Sequence, residues 1–287
     1  MARSLKLRTT RTIGLLVTDI ENPYFPQIVR AVEDAALQHG LAVLLCNAAD
    51  DPGREQAYLE LLAERRVDGI IVASSGLLDR HAARLTGGRP PLVLVNCPAA
   101  SAATPAVLSD NRTGGLLMAE HVIRLGHTRL GHVSAPARNA AAAERRVGIE
   151  SAMAQAGLDP GTLRVVEGDG RLGGGEAAAA TLLGRWPETT ALLCYNDLTA
   201  VGALRAARRL GRRVPGDMSV VGFDDIALAA AVDPPLTTVA QDTAAMGRWA
   251  VETLLTPAPD ESSGRTLLLP VGLRVRGSSG PPPARPA

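Results

Sequence analysis

Short apolar runs alternate along this chain with stretches in which apolar residues recur every three or four positions. Ala191–Cys194 is too short for a helix, Leu198, Val201, Leu204 and Ala207 recur at helical spacing, and Met218–Val221 is again a short β-rich run. The segment therefore predicts a strand, a helix and a second strand. A crossover between parallel strands is right-handed almost without exception, so both strands deliver the residues that follow them to one edge of the sheet. That edge receives Tyr195, Asn196 and Asp197 from one strand and Phe223, Asp224 and Asp225 from the other. In open α/β sheets, ligands bind outside the carboxyl ends of the strands.

The same alternation runs through the rest of the chain. Strands are predicted at 12–17, 41–46, 69–73 and 92–95, with helices at about 26–39, 55–65 and 79–85 between them. After a small-residue, turn-rich stretch, PAASAATP at 98–105, come a short apolar run at 106–108, helices at 111–125, 140–156 and 175–183, and strands at 129–133 and 163–166. A strand at 236–239, a helix at 246–255 and an apolar run at 267–275 follow Pro234 and Pro235. Glycines 40, 126, 157 and 211 stand just past helix ends, where the left-handed conformation costs them little. Strict alternation predicts an α/β fold with doubly wound parallel sheets. At 287 residues two lobes are expected, with the first crossing in 98–108. The last eleven residues, GSSGPPPARPA, are expected to be disordered.

Composition sharpens the picture at the strand ends. The chain has only seven aromatic residues, and Tyr24, Phe25, Tyr195 and Phe223 all fall in predicted strand-end loops. They suggest either a pocket with stacking faces or wedges that hold the loops. The net charge is +1, yet the first eleven residues carry Arg3, Lys6, Arg8 and Arg11 without an acid, which leaves the remainder net negative. Affinity for nucleic acid would have to reside at that start. The cluster Arg205, Arg208, Arg209, Arg212 and Arg213 reads as a solvated helix end. Cys46, Cys97 and Cys194 are odd in number and lie in or beside apolar runs, as free buried thiols do. No apolar run approaches the ~20 residues of a membrane span and the N-terminus lacks a secretory h-region, so a soluble, cytoplasmic protein without a membrane partner is expected.

Enzyme motifs are weak. Gly168, Gly170 and Gly173 spell G-x-G-x-x-G after a strand, but the motif sits in the middle of the second set of units, whereas dinucleotide sites use the first unit of a domain, and the consecutive glycines 173–175 read as a flexible loop. No G-x-S-x-G is present, and Lys6, the only lysine, lies in no P-loop. The five histidines lack metal-ligand spacing. No catalytic residue, metal or cofactor is predicted. A carboxylate such as Asp224 and an arginine fork such as Arg145 can instead hold a sugar, a similar polyol or a heterocycle. Because Asp224 and Asp225 are neighbours on extended backbone, one of the two is expected to be structural.

The runs TIGLLVTDIENPYF, DDPGREQAYLELLAERRVDGIIV, HVIRLGHTRLGHV, ERRVGIESAM, NDLTAVGALRAARRLGRRVPGDMSVVGFDDI and DPPLTTVAQD resemble the regulatory core of the lactose-repressor/galactose-repressor (LacI/GalR) family. The resemblance spans roughly residues 2–276. It implies two periplasmic-binding-protein-like lobes joined by three crossovers, 12–108 with 240–268 and 109–239 with 269–276, closing on a small sugar or nucleoside-like effector, and a homodimer. Position by position, Arg145 and Asp224 resemble the family's main effector contacts. Tyr24, Phe25, Asn96, Asn196 and Gln241 fall at other effector-lining positions. Gly170 stands where many members place a stacking aromatic. Residues 1–11 resemble the family's hinge: Leu5 matches the leucine that wedges into the minor groove, flanked by Arg3, Lys6 and Arg8. The helix-turn-helix that precedes such a hinge is not in this sequence, so operator DNA is expected as a partner only where that module is present. A solute-binding protein of a sugar transport system would share the lobes and is the alternative.

Overall fold

The computed structural model describes residues 9–73, 90–98, 104–137, 139–256 and 265–283. In chain order its elements are β1 (Thr12–Val17), α1 (Tyr24–Gln38), β2 (Ala42–Asn47), α2 (Pro52–Glu64), β3 (Gly69–Ala73), β4 (Leu92–Val95), β5 (Ala106–Ser109) and α3 (Asn111–Arg124). Then come β6 (Leu130–Ser134), α4 (Ala140–Gln155), β7 (Arg164–Glu167), α5 (Leu172–Arg185), β8 (Ala191–Cys194), α6 (Asp197–Arg209), β9 (Ser219–Asp224) and α7 (Ala227–Ala231). The last four are β10 (Thr237–Ala240), α8 (Thr243–Leu255), β11 (Thr266–Leu269) and β12 (Gly272–Arg274). The chain divides into two compact units, one drawn from 1–109 and 242–269, the other from 110–241 and 270–287.

Each unit is built on a six-stranded sheet. The first has the order β11-β5-β4-β3-β1-β2, with every pair parallel. The second has the order β12-β10-β9-β8-β6-β7, parallel except where β12 runs antiparallel to β10. Two doubly wound α/β sheets were expected; a single antiparallel edge strand is a common variation on that plan. The apolar run at 267–275 supplies one strand to each sheet and is divided at Pro270, whose missing N–H cannot continue a ladder. In the second unit Met118, Val122, Ile149, Met153, Leu193, Val221 and Val239 share one buried cluster. Leu16, Leu59, Leu62, Ile70, Val72 and Leu94 form the counterpart in the first.

Three expectations need correction. The glycines 173–175 are helical: α5 starts at Leu172, and a Cβ on Gly175 would stand 2.6 Å from the Thr199 Cα of α6. Close packing of α5 on α6 offsets the backbone entropy that disfavours glycine in a helix. The C-terminal tail is anchored over residues 277–283. Ser278 is fully buried; its Oγ accepts from the Thr237 N–H at 2.8 Å and donates to the Val220 carbonyl at 2.6 Å, and Gly280 O accepts from Ser219 Oγ at 3.0 Å. Composition promised too little apolar burial for this segment, but its backbone and hydroxyls satisfy buried polar groups of β9 and β10, and the anchoring comes from that. Finally, α2 starts at Pro52, because Asp51 accepts from the Gly53 and Arg54 N–H groups at 2.7 and 3.2 Å and proline fits the first helical position. The expected helix near 79–85 and the hinge positions Arg3, Leu5, Lys6 and Arg8 lie outside the described residues.

The crossing of α3 and α4 sets the position of Arg145. A Cβ on Gly115 would lie 2.0 Å from the Arg145 carbonyl oxygen, and one on Gly148 2.0 Å from that of Arg112, so the two backbones meet where only glycine fits. This approach brings the start of α3 against Arg145. Replacing Gly115 or Gly148 by alanine should destabilise the protein by about 1–3 kcal/mol, or roughly 2–4 °C in Tm per kcal/mol, in thermal unfolding by circular dichroism. Gly173→Ala, where an added methyl meets nothing within 4 Å, should be neutral or slightly stabilising in the same melt.

Candidate functional site

The strand order of the second sheet reverses at β6, which lies between β7 and β8. Such a reversal leaves room outside the carboxyl ends of the strands. Asn139 follows β6, Tyr195 and Asn196 follow β8, Asp224 ends β9, and Gln241 follows β10. Arg145 reaches the same edge from α4.

Arg145 is 3% exposed, and all of its described contacts lie within this unit. Its Nε donates to Asn111 Oδ1 at 2.9 Å and its Nη1 donates to the Tyr195 carbonyl. The guanidinium carbon stands 3.5 Å from the Phe223 ring centroid and 4.8 Å from that of Tyr195. A desolvated cation over aromatic faces gains about 0.5–2 kcal/mol per contact. Of the four strand-end aromatics, Tyr195 and Phe223 thus hold an arginine. Asn139 locks the assembly: its Oδ1 caps α4 through the Ala142 N–H at 3.0 Å, and its Nδ2 donates to Tyr195 Oη at 2.8 Å.

Asp224 is 5% exposed and accepts from Gln241 Nε2 at 2.7 Å. Burial pushes its carboxyl up to about 7, against the opposing pull of the Arg145 charge and the Gln241 hydrogen bond. Asp197, fully buried nearby, is also raised, first by burial and then by Asp224. Asp225, by contrast, makes an ion pair with Arg276 at 2.6 Å, so it is the structural member of the adjacent acids. Both acids have positive φ, 122° at Asp224 and 57° at Asp225, and Asn96 has φ 53°. Non-glycine residues in this half of φ space are uncommon and gather at functional sites.

The other predicted residues divide between the two units. Asn196 is nearly buried and caps α6 through the Thr199 N–H at 2.8 Å, while its Nδ2 donates to the Gly170 carbonyl at 2.8 Å. Its side chain thus shapes the Gly170 loop, and the glycine pattern at 168–173 is accounted for as a turn and helix start. In the first unit, Tyr24 and Phe25 pack edge to face with centroids 5.4 Å apart, Asn96 Nδ2 donates to Tyr24 Oη, and Asn96 Oδ1 accepts from the Ser109 N–H at 3.2 Å. Asn111, Asn139 and Asp197 were not predicted as site residues. The signal available for Asn139 was its place as an N-cap before a run of alanines, and that for Asp197 its place just past a predicted strand at the ligand edge; nothing local marked Asn111.

The remaining candidates for chemistry are structural. His127 bridges Thr190, Ser219 and the Gly280 carbonyl, each at 2.9 Å. His132 donates from Nδ1 to the Leu193 carbonyl at 2.8 Å, and burial lowers it to about 4. Cys46, Cys97 and Cys194 are buried and form no disulfide. Among the described residues, no group of three or more His, Cys, Asp or Glu side chains could hold a metal ion, and no helix is long and apolar enough to cross a membrane.

Residues 10–275 match the model of the periplasmic binding proteins and sugar-binding domain of the LacI family. The chain is 35% identical over 268 residues, 93% of its length and 80% of the relative's, to the HTH-type transcriptional repressor PurR of Aliivibrio salmonicida. Among solved structures it is similar to a LacI family transcriptional regulator from Enterococcus faecium with bound ribose, at a TM-score of 0.85 and 29% identity over 94% of this chain and 99% of that one. It is also similar to a complex of the transcriptional regulator CelR with cellobiose, at a TM-score of 0.82 and 29% identity, covering 96% and 89% of the two chains.

The raised Asp224 has a pH signature. A carboxyl whose folded value lies above its unfolded value of about 3.9 contributes stability that is complete below the unfolded value and is lost as pH rises through the folded one. Between pH 5 and pH 8 the native protein should therefore lose several degrees of Tm more than an Asp224→Asn variant, at roughly 2–4 °C per kcal/mol. Parallel pH series of thermal melts on the two proteins check this.

Proposed function

The chain belongs to the LacI family of ligand-sensing transcriptional regulators, and on that premise we propose that the Arg145–Asp224 cluster is its effector site, for a sugar or nucleoside-like molecule. The observation that carries this reading is the geometry at the carboxyl edge of the second sheet. A guanidinium held against two rings, a carboxyl kept from full ionisation by burial, and a glutamine amide converge there on strained backbone. Such groups grip hydroxyls or ring nitrogens from several directions. The ribose and cellobiose of the two similar regulators support a polyol. The HTH-type repressors among the relatives support effector-dependent control of operator DNA in the cytoplasm, exerted through a DNA-binding module of the family's kind. On this reading Gln241 orients Asp224, Asn196 shapes the Gly170 loop, and Tyr24, Phe25 and Asn96 are further effector contacts.

A second copy of the chain is the proposed protein partner. In the first unit Leu37 of α1 is 73% exposed, and Leu44 and Leu45 of the edge strand β2 are 43% and 46% exposed. An edge strand that carries apolar side chains beside an exposed helical leucine calls for a cover, and a homodimer supplies it symmetrically.

Two measurements test these readings. A thermal-shift screen of sugars, nucleosides and purines should find a ligand that raises Tm. Calorimetry with that ligand should then show binding weakened about tenfold or considerably more in Asp224→Ala and in Arg145→Ala, because losing one partner of a buried charged hydrogen bond costs about 2–5 kcal/mol. Unchanged affinity in both variants would remove this site. In sedimentation velocity at micromolar concentration the native chain should run as a dimer and the Leu44→Glu/Leu45→Glu double variant as a monomer; a double variant that stays dimeric moves the interface elsewhere.

A further inference from the structure

Asp197 opens α6, where an acid ordinarily faces solvent and complements the helix dipole. Here it is fully buried, and both carboxylate oxygens are engaged with other parts of the unit. Oδ1 accepts from Thr238 Oγ1 of β10 at 2.5 Å, and Oδ2 accepts from the Ile226 N–H at 2.9 Å, just beyond β9. On its third side lies Gly222 of β9, where an added Cβ would stand 2.2 Å from Oδ1. Thr238 is also the register partner of Gly222 in the β9–β10 ladder.

These contacts bracket the strained pair. Gly222 lies two residues before Asp224, Ile226 two residues after it, and the intervening acids hold φ of 122° and 57°. Backbone of this kind persists only where its surroundings over-determine it. One carboxylate receives the amide on the far side of the pair, fits against the glycine on the near side, and ties both to β10, whose continuation brings Gln241 to Asp224 at 2.7 Å. Asp225 is fastened separately to Arg276, which fixes the side chain of that residue but not the backbone around Asp224.

We propose that Asp197 is a positioning residue, a buried clamp that holds the Asp224–Ile226 backbone in its strained conformation and so aims the Asp224 carboxyl at the effector. Holding the backbone is independent of any ligand; only the aiming of Asp224 rests on the effector reading. Loosening Asp197 therefore frees the 224–226 segment locally before it affects the unit as a whole.

The experiment is residue-resolved native-state amide exchange on the full 287-residue chain, with variants Asp197→Ala, Thr238→Val and Thr238→Ser. Losing the carboxylate partner should speed exchange at the Ile226 amide by about tenfold or more, while the strand amides of β8 keep their native rates. Thr238→Val should give a smaller acceleration at the same amide and Thr238→Ser should restore the native rate; this pair keeps the test open if Asp197→Ala does not fold. Uniform acceleration across the unit, or an unchanged Ile226 amide in a folded variant, overturns the clamp. Ligand binding is read in the same proteins with D-ribose, cellobiose and a purine nucleoside as probes. A probe that binds the native chain and loses about tenfold in affinity in Thr238→Val supports the clamp's role in aiming Asp224. A probe that ignores Asp224→Ala while the Ile226 amide still responds retires the effector reading and leaves the clamp. A probe that needs Asp224 but ignores Asp197→Ala and Thr238→Val retires the role in aiming.

Discussion

A buried cation has to be partnered, and much of the second unit is arranged around meeting that requirement for Arg145. Its guanidinium rests on Phe223 and beside Tyr195, donates to Asn111 and to a backbone carbonyl, and feels the Asp224 carboxyl across the site. Each partner comes from a different element: α3, the β8–α6 turn and β9. Removing a buried charge from water costs several kcal/mol, so none of these elements can drift without exposing an unsatisfied donor. The α3–α4 crossing at Gly115 and Gly148 serves the same need, because without that backbone approach Asn111 could not reach Nε.

The carboxyl side of the site is balanced differently. Asp224 and Asp197 are both buried and both raised, and two neighbouring acids in a dry setting resist carrying two charges. The arginine and the glutamine amide pull Asp224 towards ionisation while burial pushes it back.

Many of these features were legible along the chain. The alternation of short apolar runs with helical spacing gave the α/β class, the two sheets and nearly every strand, because side-chain periodicity of two or 3.6 is a local property that burial of one face imposes directly. Helix C-termini were readable from glycines for the same reason. The candidate residues Arg145, Asp224 and Gln241 came from motif matches, and the structure brings all three into one unit; Tyr24, Phe25 and Asn96 belong to the other.

What only the tertiary structure decided are the partnerships between residues distant in sequence. Asp197 meets Thr238 across 41 residues and His127 meets Gly280 across 153, and no local pattern encodes either. The aromatics at the strand ends could be placed from the sequence, but that their faces hold an arginine depends on where α4 crosses. The three glycines at 173–175 looked like a loop because intrinsic propensity is a weak prior, and packing against Thr199 outweighs it. The tail looked disordered because composition counts apolar area, whereas Ser278 and Gly280 are anchored by hydrogen bonds to buried groups supplied by other strands. Sequence by itself thus determined the elements and their order, since those arise from local periodicity; which side chain answers which buried charge or carbonyl was settled only when the sheets and helices closed around them.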